Sequence, residues 1–188
     1  METAEPERNP EKAIAFMINE VFILLGSNQG DRERFLSLAL EWIEDKGGTI
    51  LKKSAIYETA PWGFETPDLF LNQVVEISTG HQPDALLEIL LTIETQLGRI
   101  RPFDSCGCSG DEAYSSRTID LDILFYGPKL VFTDRLMIPH PRLHERRFCL
   151  VPLNEIAPGF IHPLLKKSIS LLLQECADRS EVDLLQAR

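Results

Sequence analysis

The chain has 188 residues, 44% of them hydrophobic, and carries a formal net charge of −10 with a pI near 4.9. That length suits one domain with a sizeable core. The acidic balance argues against a protein held mainly by nucleic-acid backbone or anionic lipid, which need a basic surface, and no apolar run nears the ~20 residues that span a bilayer.

Residues 1–18 hold Glu2, Glu5, Glu7 and Glu11 beside Pro6 and Pro10, and read as a mobile acidic extension before a domain over 19–188. No signal-peptide h-region stands there. Cys106, Cys108, Cys149 and Cys176 are therefore expected as reduced thiols of a cytoplasmic protein. Val21–Leu25 reads as a strand that turns at Gly26-Ser27-Asn28. With no Lys-Ser/Thr and no G-x-G-x-x-G, Gly26 and Gly30 fit a tight turn better than a phosphate loop.

A helix is expected over Asp31–Lys46, burying Phe35, Leu38, Ala39, Trp42 and Ile43 and ending at Gly47-Gly48. Thr49–Tyr57 reads as a second strand. The loop after it is stiffened by Pro61 and Pro67, which suits a pre-formed binding wall or an ordinary surface crossover. Leu69–Thr79 is a third strand with Phe70, Asn72 and Val74 on one face. An aromatic and an amide so placed can stack on a flat heterocycle and pair with its edge; they can equally be a core ring and an edge amide. Pro83–Leu97 is a helix whose stripe is Leu86, Leu87, Leu90, Ile93 and Leu97. Glu94 borders that stripe, as a solvated residue or a ligand-binding one.

Arg99–Arg117 has no periodicity. So long a loop in a compact domain is functional or disordered, and Arg99, Arg101 and Arg117 at its two ends suggest a lid over an anion. Cys106 and Cys108 lack a second Cys/His pair at zinc spacing.

Arg117–Tyr126, RTIDLDILFY, is the central strand. Side chains alternate along a strand, so Asp120 and Asp122 share a face and Leu121 takes the other. Two carboxylates there repel and are costly to bury unless a cation sits between them. A hard cation such as Mg²⁺, taking one or two carboxylates plus phosphates, fits; so does a solvated edge strand.

Lys129–Phe132 is expected to return after Gly127-Pro128 as a hairpin partner of that strand. Arg135, Arg142, Arg146 and Arg147 then cluster, which points to a phosphate-rich ligand in so acidic a chain. His140 and His144 stand four apart with no third ligand evident, and Pro139 and Pro141 exclude a regular helix. Residues 149–161 read as partly buried, and Ser168–Cys176 as a short helix with Leu171 and Leu172 inward.

Together, GSN at 26–28, YETAPWG at 57–63, LFLNQVV at 69–75, IETQLGRIR at 93–101, SRTIDLDILFY at 116–126 and RLMIPHPRLHERRFCLVPLNEIAP at 135–158 resemble the 6-hydroxymethyl-7,8-dihydropterin pyrophosphokinase family. The resemblance implies an α+β fold, a ferredoxin-like antiparallel sheet flanked by helices in a three-layer α/β/α sandwich. It implies transfer of pyrophosphate from ATP to the pterin hydroxymethyl group, releasing AMP, in folate biosynthesis. Asp120 and Asp122 would hold two Mg²⁺ ions. Phe70 and Phe148 would sandwich the pterin, Asn72 would pair with its edge, and Thr59, Ala60 and Trp62 would complete the pocket. Glu94, Arg101, Arg117, Ile123, Arg135, His140 and Arg146 match ATP-site positions, and Arg99 and Arg117 the arginines that assist transfer.

The implied partners are small molecules, ATP and the hydroxymethyl-dihydropterin, with no nucleic acid or membrane, and the protein is expected as a monomer. The chain differs from the family pattern at Tyr114-Ser115-Ser116, where Trp-Gly-Pro is common, and at Phe70, where Tyr is common. Another DxD phosphotransferase would not need the pterin set, and a binding module for RNA would need basic charge and an aromatic signature that are absent.

Overall fold

The computed structural model describes residues 19–63, 66–99 and 117–186. The acidic extension over 1–18 and the loop over 100–116, with Arg101, Cys106, Cys108 and Tyr114, lie outside the described residues.

Three layers are built on one antiparallel sheet. Strand β1 (Asn19–Ser27) lies between β5 (Asp120–Tyr126) and β4 (Phe70–Thr79). On its other edge β4 pairs first with β2 (Thr49–Lys53) and then with β3 (Tyr57–Thr59). The chain's last strand, β8 (Val182–Leu184), closes that side against β3. Alternation sorts the core. Val21, Ile23, Leu25, Val75, Ile77, Leu121 and Ile123 face α1 (Arg32–Trp42), its π-helical continuation over Ile43–Gly47, and α2 (Pro83–Gln96). Phe22, Leu24, Val74 and Leu124 face α3 (Arg147–Ile156) and α4 (Ile169–Glu175). The fold is α+β and ferredoxin-like, as the resemblance implied.

Several boundaries differ from the sequence reading. Gly26 and Ser27 belong to β1 rather than to a turn. The expected strand over 49–57 breaks at Ser54, whose Oγ accepts from Val74 N–H at 3.0 Å, so side-chain bonding replaces one step of the ladder. Lys129–Phe132 is not a hairpin partner of the central strand. Val131–Phe132 (β6) pairs instead with Met137–Ile138 (β7), a local two-stranded ladder apart from the main sheet. Residues 147–156 form a helix with Pro152 inside it. In α4 the inward residues are Ile169 and Leu172, while Leu171 is exposed; one residue on a helix turns ~100°, so adjacent leucines cannot share a face.

A bulge in the β1–β5 pairing places Phe22 opposite Phe125 and Ile23 opposite Ile123, leaving Leu124 extra. The Leu124 carbonyl accepts from His140 N–H at 3.0 Å. That bond brings the arginine-rich segment back to the face carrying Asp120 and Asp122. Among the described residues no helix is long and apolar enough to cross a membrane.

Gly48 ends the first helical layer at φ 151°, and a Cβ there would press into the Ser78 carbonyl oxygen and lie 2.9 Å from Thr79 Cβ. Gly48→Ala is expected to lower stability by about 2 kcal/mol or more, read as a lower urea midpoint with unchanged slope.

Candidate active site

Across β5, β1 and β4 the register sets Asp120, Gly26 and Asn72 in one row, and Asp122, Leu24 and Val74 in the next. Residues opposite one another in an antiparallel ladder share a face. The missing side chain of Gly26 bares the middle of the first row. A Cβ built there would stand 3.5 Å from Asn72 Oδ1 and 3.9 Å from Asp120 Cβ. This strip floors a cleft open to solvent, lined from β1, β3, β4, β5 and the start of α3.

One end of the cleft is aromatic. Phe70 and Asn72 rise from β4, and Asn72 Nδ2 donates to Thr59 Oγ1 at 2.8 Å, which ties the floor to β3. Ala60 and Trp62 follow β3, and Phe148 comes from the first turn of α3. The Arg146 guanidinium packs on the Trp62 ring, 4.9 Å from its centroid, and lies 5.8 Å from that of Phe148.

The other end is ionic. Asp120 is bound by Arg99 Nη1 on one oxygen and by Arg117 Nη1 at 2.7 Å on the other. Arg99 Nη1 also donates to Glu94 Oε1 at 2.5 Å. Glu94 is 1% exposed, and the same oxygen accepts from Leu121 N–H at 2.8 Å. A single run of polar contacts thus joins α2, Arg99 just beyond it and the opening of β5. Burial works against the charge of Arg99, but Asp120 and Glu94 beside it outweigh that and hold its pKa above the ordinary value.

Asp122 has the opposite balance. Loss of water raises its pKa first, the neighbouring Asp120 raises it further, and Arg146 offsets only part; the result is about 7. Among the described residues no three His, Cys, Asp or Glu gather as a metal cage. The donor set is the Asp120/Asp122 pair. Such a pair fits a cation that takes one or two carboxylates and finds its other ligands on phosphates, as Mg²⁺ does. Removing like-charge repulsion at a carboxylate already pushed toward neutrality is what a cation there would do.

The end of β1 sets the entry to β5. Asn28 Oδ1 accepts from Arg117 N–H at 2.7 Å, Asn28 N–H donates to the Arg117 carbonyl at 3.2 Å, and Ser27 Oγ donates to the Thr118 carbonyl at 2.5 Å. This clamp fixes the backbone from which the Arg117 guanidinium reaches Asp120.

Comparison with known proteins places this geometry. Residues 22–158 match the model of the 7,8-dihydro-6-hydroxymethylpterin-pyrophosphokinase family. A 2-amino-4-hydroxy-6-hydroxymethyldihydropteridine pyrophosphokinase of Porphyromonas gingivalis is 42% identical over 145 residues, 76% of this chain and 93% of that protein. One of Bacillus subtilis is 43% identical over 141 residues, 74% of this chain and 79% of that protein. The chain belongs to this pyrophosphokinase family. A folic acid synthesis protein of Pneumocystis carinii is 39% identical over 158 residues, and there the chain spans 84% of its own length but 20% of the relative's. The fold is also that of wild-type Plasmodium falciparum HPPK-DHPS solved with pteroate, with a TM-score of 0.65 at 16% identity over 84% of this chain and 42% of that one.

Of the residues that resemblance to the pyrophosphokinases singled out, the cleft gathers Thr59, Ala60, Trp62, Phe70, Asn72, Arg117, Asp120, Asp122, Arg146 and Phe148. Arg99 and Glu94 stand behind Asp120. The Ile123 side chain packs in the core on the opposite face. Arg135 is two-thirds exposed and pairs with Glu88 of α2 at 2.6 Å, away from the cleft. His140 lies near Arg146. Burial first, then that positive charge, lowers its pKa to about 4, and its Nδ1 accepts from Arg142 N–H at 3.3 Å. Leu24 and Gly26 line the cleft without having been singled out. Their signal is cross-strand register, which a single sequence does not display.

The shift at His140 has a thermodynamic sign. The unfolded chain takes up this proton near pH 6.5, and the folded one refuses it until about pH 4. Stability is therefore full above the upper value and declines as pH falls through the lower. His140→Gln removes that term. The melting temperature of the wild type relative to H140Q is expected to rise between pH 4 and 6.5 and level off above; a flat difference contradicts the buried neutral imidazole.

Proposed function

We infer that this cleft carries out the reaction of the family. The chain is an ATP-dependent diphosphotransferase: it moves pyrophosphate from ATP to the hydroxymethyl group of 6-hydroxymethyl-7,8-dihydropterin in folate biosynthesis, releasing AMP. The observation that carries the assignment to this cleft is that one floor joins an acidic pair, with Asp120 bound by two arginines, to an aromatic and amide wall. A nucleotide hydrolase with the same acidic pair would have no use for the second half.

The pterin stacks between Phe70 and Phe148. Thr59 holds Asn72 Nδ2, which leaves Oδ1 on the Gly26 side of the floor as an acceptor for the N–H edge of the ring. ATP lies toward β5, met by Arg117 and Arg146, with His140 close to Arg146. Mg²⁺, expected as two ions on Asp120 and Asp122, would neutralise the triphosphate and make its β-phosphorus more electrophilic. The hydroxymethyl oxygen attacks the β-phosphorus, and the bond from that phosphorus to the oxygen it shares with the α-phosphate breaks. AMP leaves with the electron pair, and the hydroxyl proton passes to solvent. Arg99 and Arg117 stabilise the charge gathering on AMP. Glu94 serves by holding Arg99 and the first turn of β5 in place. Little covalent help is needed; positioning and charge neutralisation suffice. One copy of the chain supplies every residue named, and neither nucleic acid nor membrane enters the reaction.

With ATP, Mg²⁺ and hydroxymethyl-dihydropterin, the nucleotide product is expected to be AMP and not ADP. Asp120→Ala and Asp122→Ala are each expected to cut turnover by about a hundredfold or more, while far-UV circular dichroism stays native. Wild-type rates in either variant would remove the acidic pair from the mechanism.

A further inference from the structure

Arg146 joins the two halves of the cleft. It precedes the first turn of α3, is 7% exposed, and its charge is felt by Asp122 and His140 on the ionic side. On the aromatic side its guanidinium lies over the Trp62 ring at 4.9 Å. Trp62 belongs to the loop that follows β3 and walls the pterin end, and it is only partly buried. A guanidinium stacked on an indole uses its face and keeps its in-plane N–H donors for other partners. Stacking also restricts the rotation of a side chain that carries much rotamer entropy.

We propose that the Trp62 side chain is a positioning residue for Arg146, holding the guanidinium plane so that its donors meet a phosphate of the nucleotide. The loop that walls the pterin thereby sets the strength of the grip on ATP, and the two substrates are coupled through the Trp62–Arg146 contact, the shorter of the two that Arg146 makes with the aromatic wall. This rests on the reading of Arg146 as a phosphate-binding residue given above. An indole suits such a role, since Trp is the strongest ring partner for a cation, Phe a weaker one, and an aliphatic side chain offers no ring face.

The test is calorimetric titration of the full chain with α,β-methylene-ATP and Mg²⁺, in wild type, W62F, W62L, R146K and W62L/R146K. W62L is expected to bind the analogue about tenfold more weakly, with W62F between it and wild type. Lysine keeps the charge of Arg146 but not its planar fork. In the R146K background, W62L is therefore expected to cost less than about twofold more, since little stacking is left to lose. Two results overturn the coupling. One is W62L with wild-type nucleotide affinity and weakened pterin binding, which leaves Trp62 as a pterin wall alone. The other is a full W62L effect persisting in R146K, which marks general damage to the loop. Wild-type protein that fails to bind the analogue overturns the nucleotide reading beneath the proposal, and does so before any variant is compared. W62F keeps an aromatic ring in the loop, so the series remains decisive should W62L be poorly folded.

Discussion

Asp120 sits between Arg99 and Arg117, with a second carboxylate two residues along the same strand. The ionic end of the cleft depends on this arrangement. Alone, adjacent carboxylates on the inner face of a sheet would carry a repulsive and desolvation cost large enough to disturb the strand. The arginines offset it at Asp120 and leave Asp122 under strain, with its pKa pushed up to about 7. The protein thus keeps its acidic pair folded by its own cations while one carboxylate still gains from a further positive charge. Of the two arginines that hold Asp120, Arg117 also lines the cleft, while Arg99 stands behind. The supports reach well beyond the site: Glu94 anchors Arg99 from α2, and Asn28 anchors the Arg117 backbone from β1.

The sheet provides the rest by omission. A side chain at position 26 would sit between Asn72 and Asp120, where the aromatic end of the cleft meets the ionic one. Glycine weakens strands, so its presence inside β1 is understood through what must lie on top of it. On the same face, one row further along, Leu24 and Val74 stand beside Asp122 and lead into the core that Leu124 and α3 complete. The functional floor and the hydrophobic core are therefore successive rows of the same three strands, which keeps the site on rigid elements. The arginine-rich segment reaches that floor through the bulge at Leu124, whose carbonyl holds His140.

Much of this was legible in the sequence where the signal is local. Strand alternation put Asp120 with Asp122 and Phe70 with Asn72, and the helical stripe of Pro83–Gln96 was plain. Signals that depend on pairing were not legible. Gly26-Ser27-Asn28 has the composition of a turn, yet Gly26 and Ser27 extend β1, because what lies across from them decides. The partner of Val131–Phe132 is hidden for the same reason: nothing in those residues says that Met137–Ile138 returns to pair with them. Leu171 and Leu172 look alike along an apolar run, but the rotation of a short helix separates them. Glu94 was read as a boundary residue with two open roles; its position beside the stripe was visible, its grip on Leu121 N–H was not.

The proposed chemistry requires the Asp120/Asp122 pair to hold a divalent cation against a bound nucleotide. Mn²⁺ is a paramagnetic substitute for Mg²⁺, so its binding can be followed directly by electron paramagnetic resonance in the presence of α,β-methylene-ATP. Tight, nucleotide-dependent Mn²⁺ binding is expected in the wild type and its loss in the D120N/D122N double variant, with the fold intact. Equal Mn²⁺ binding by the two proteins would contradict it.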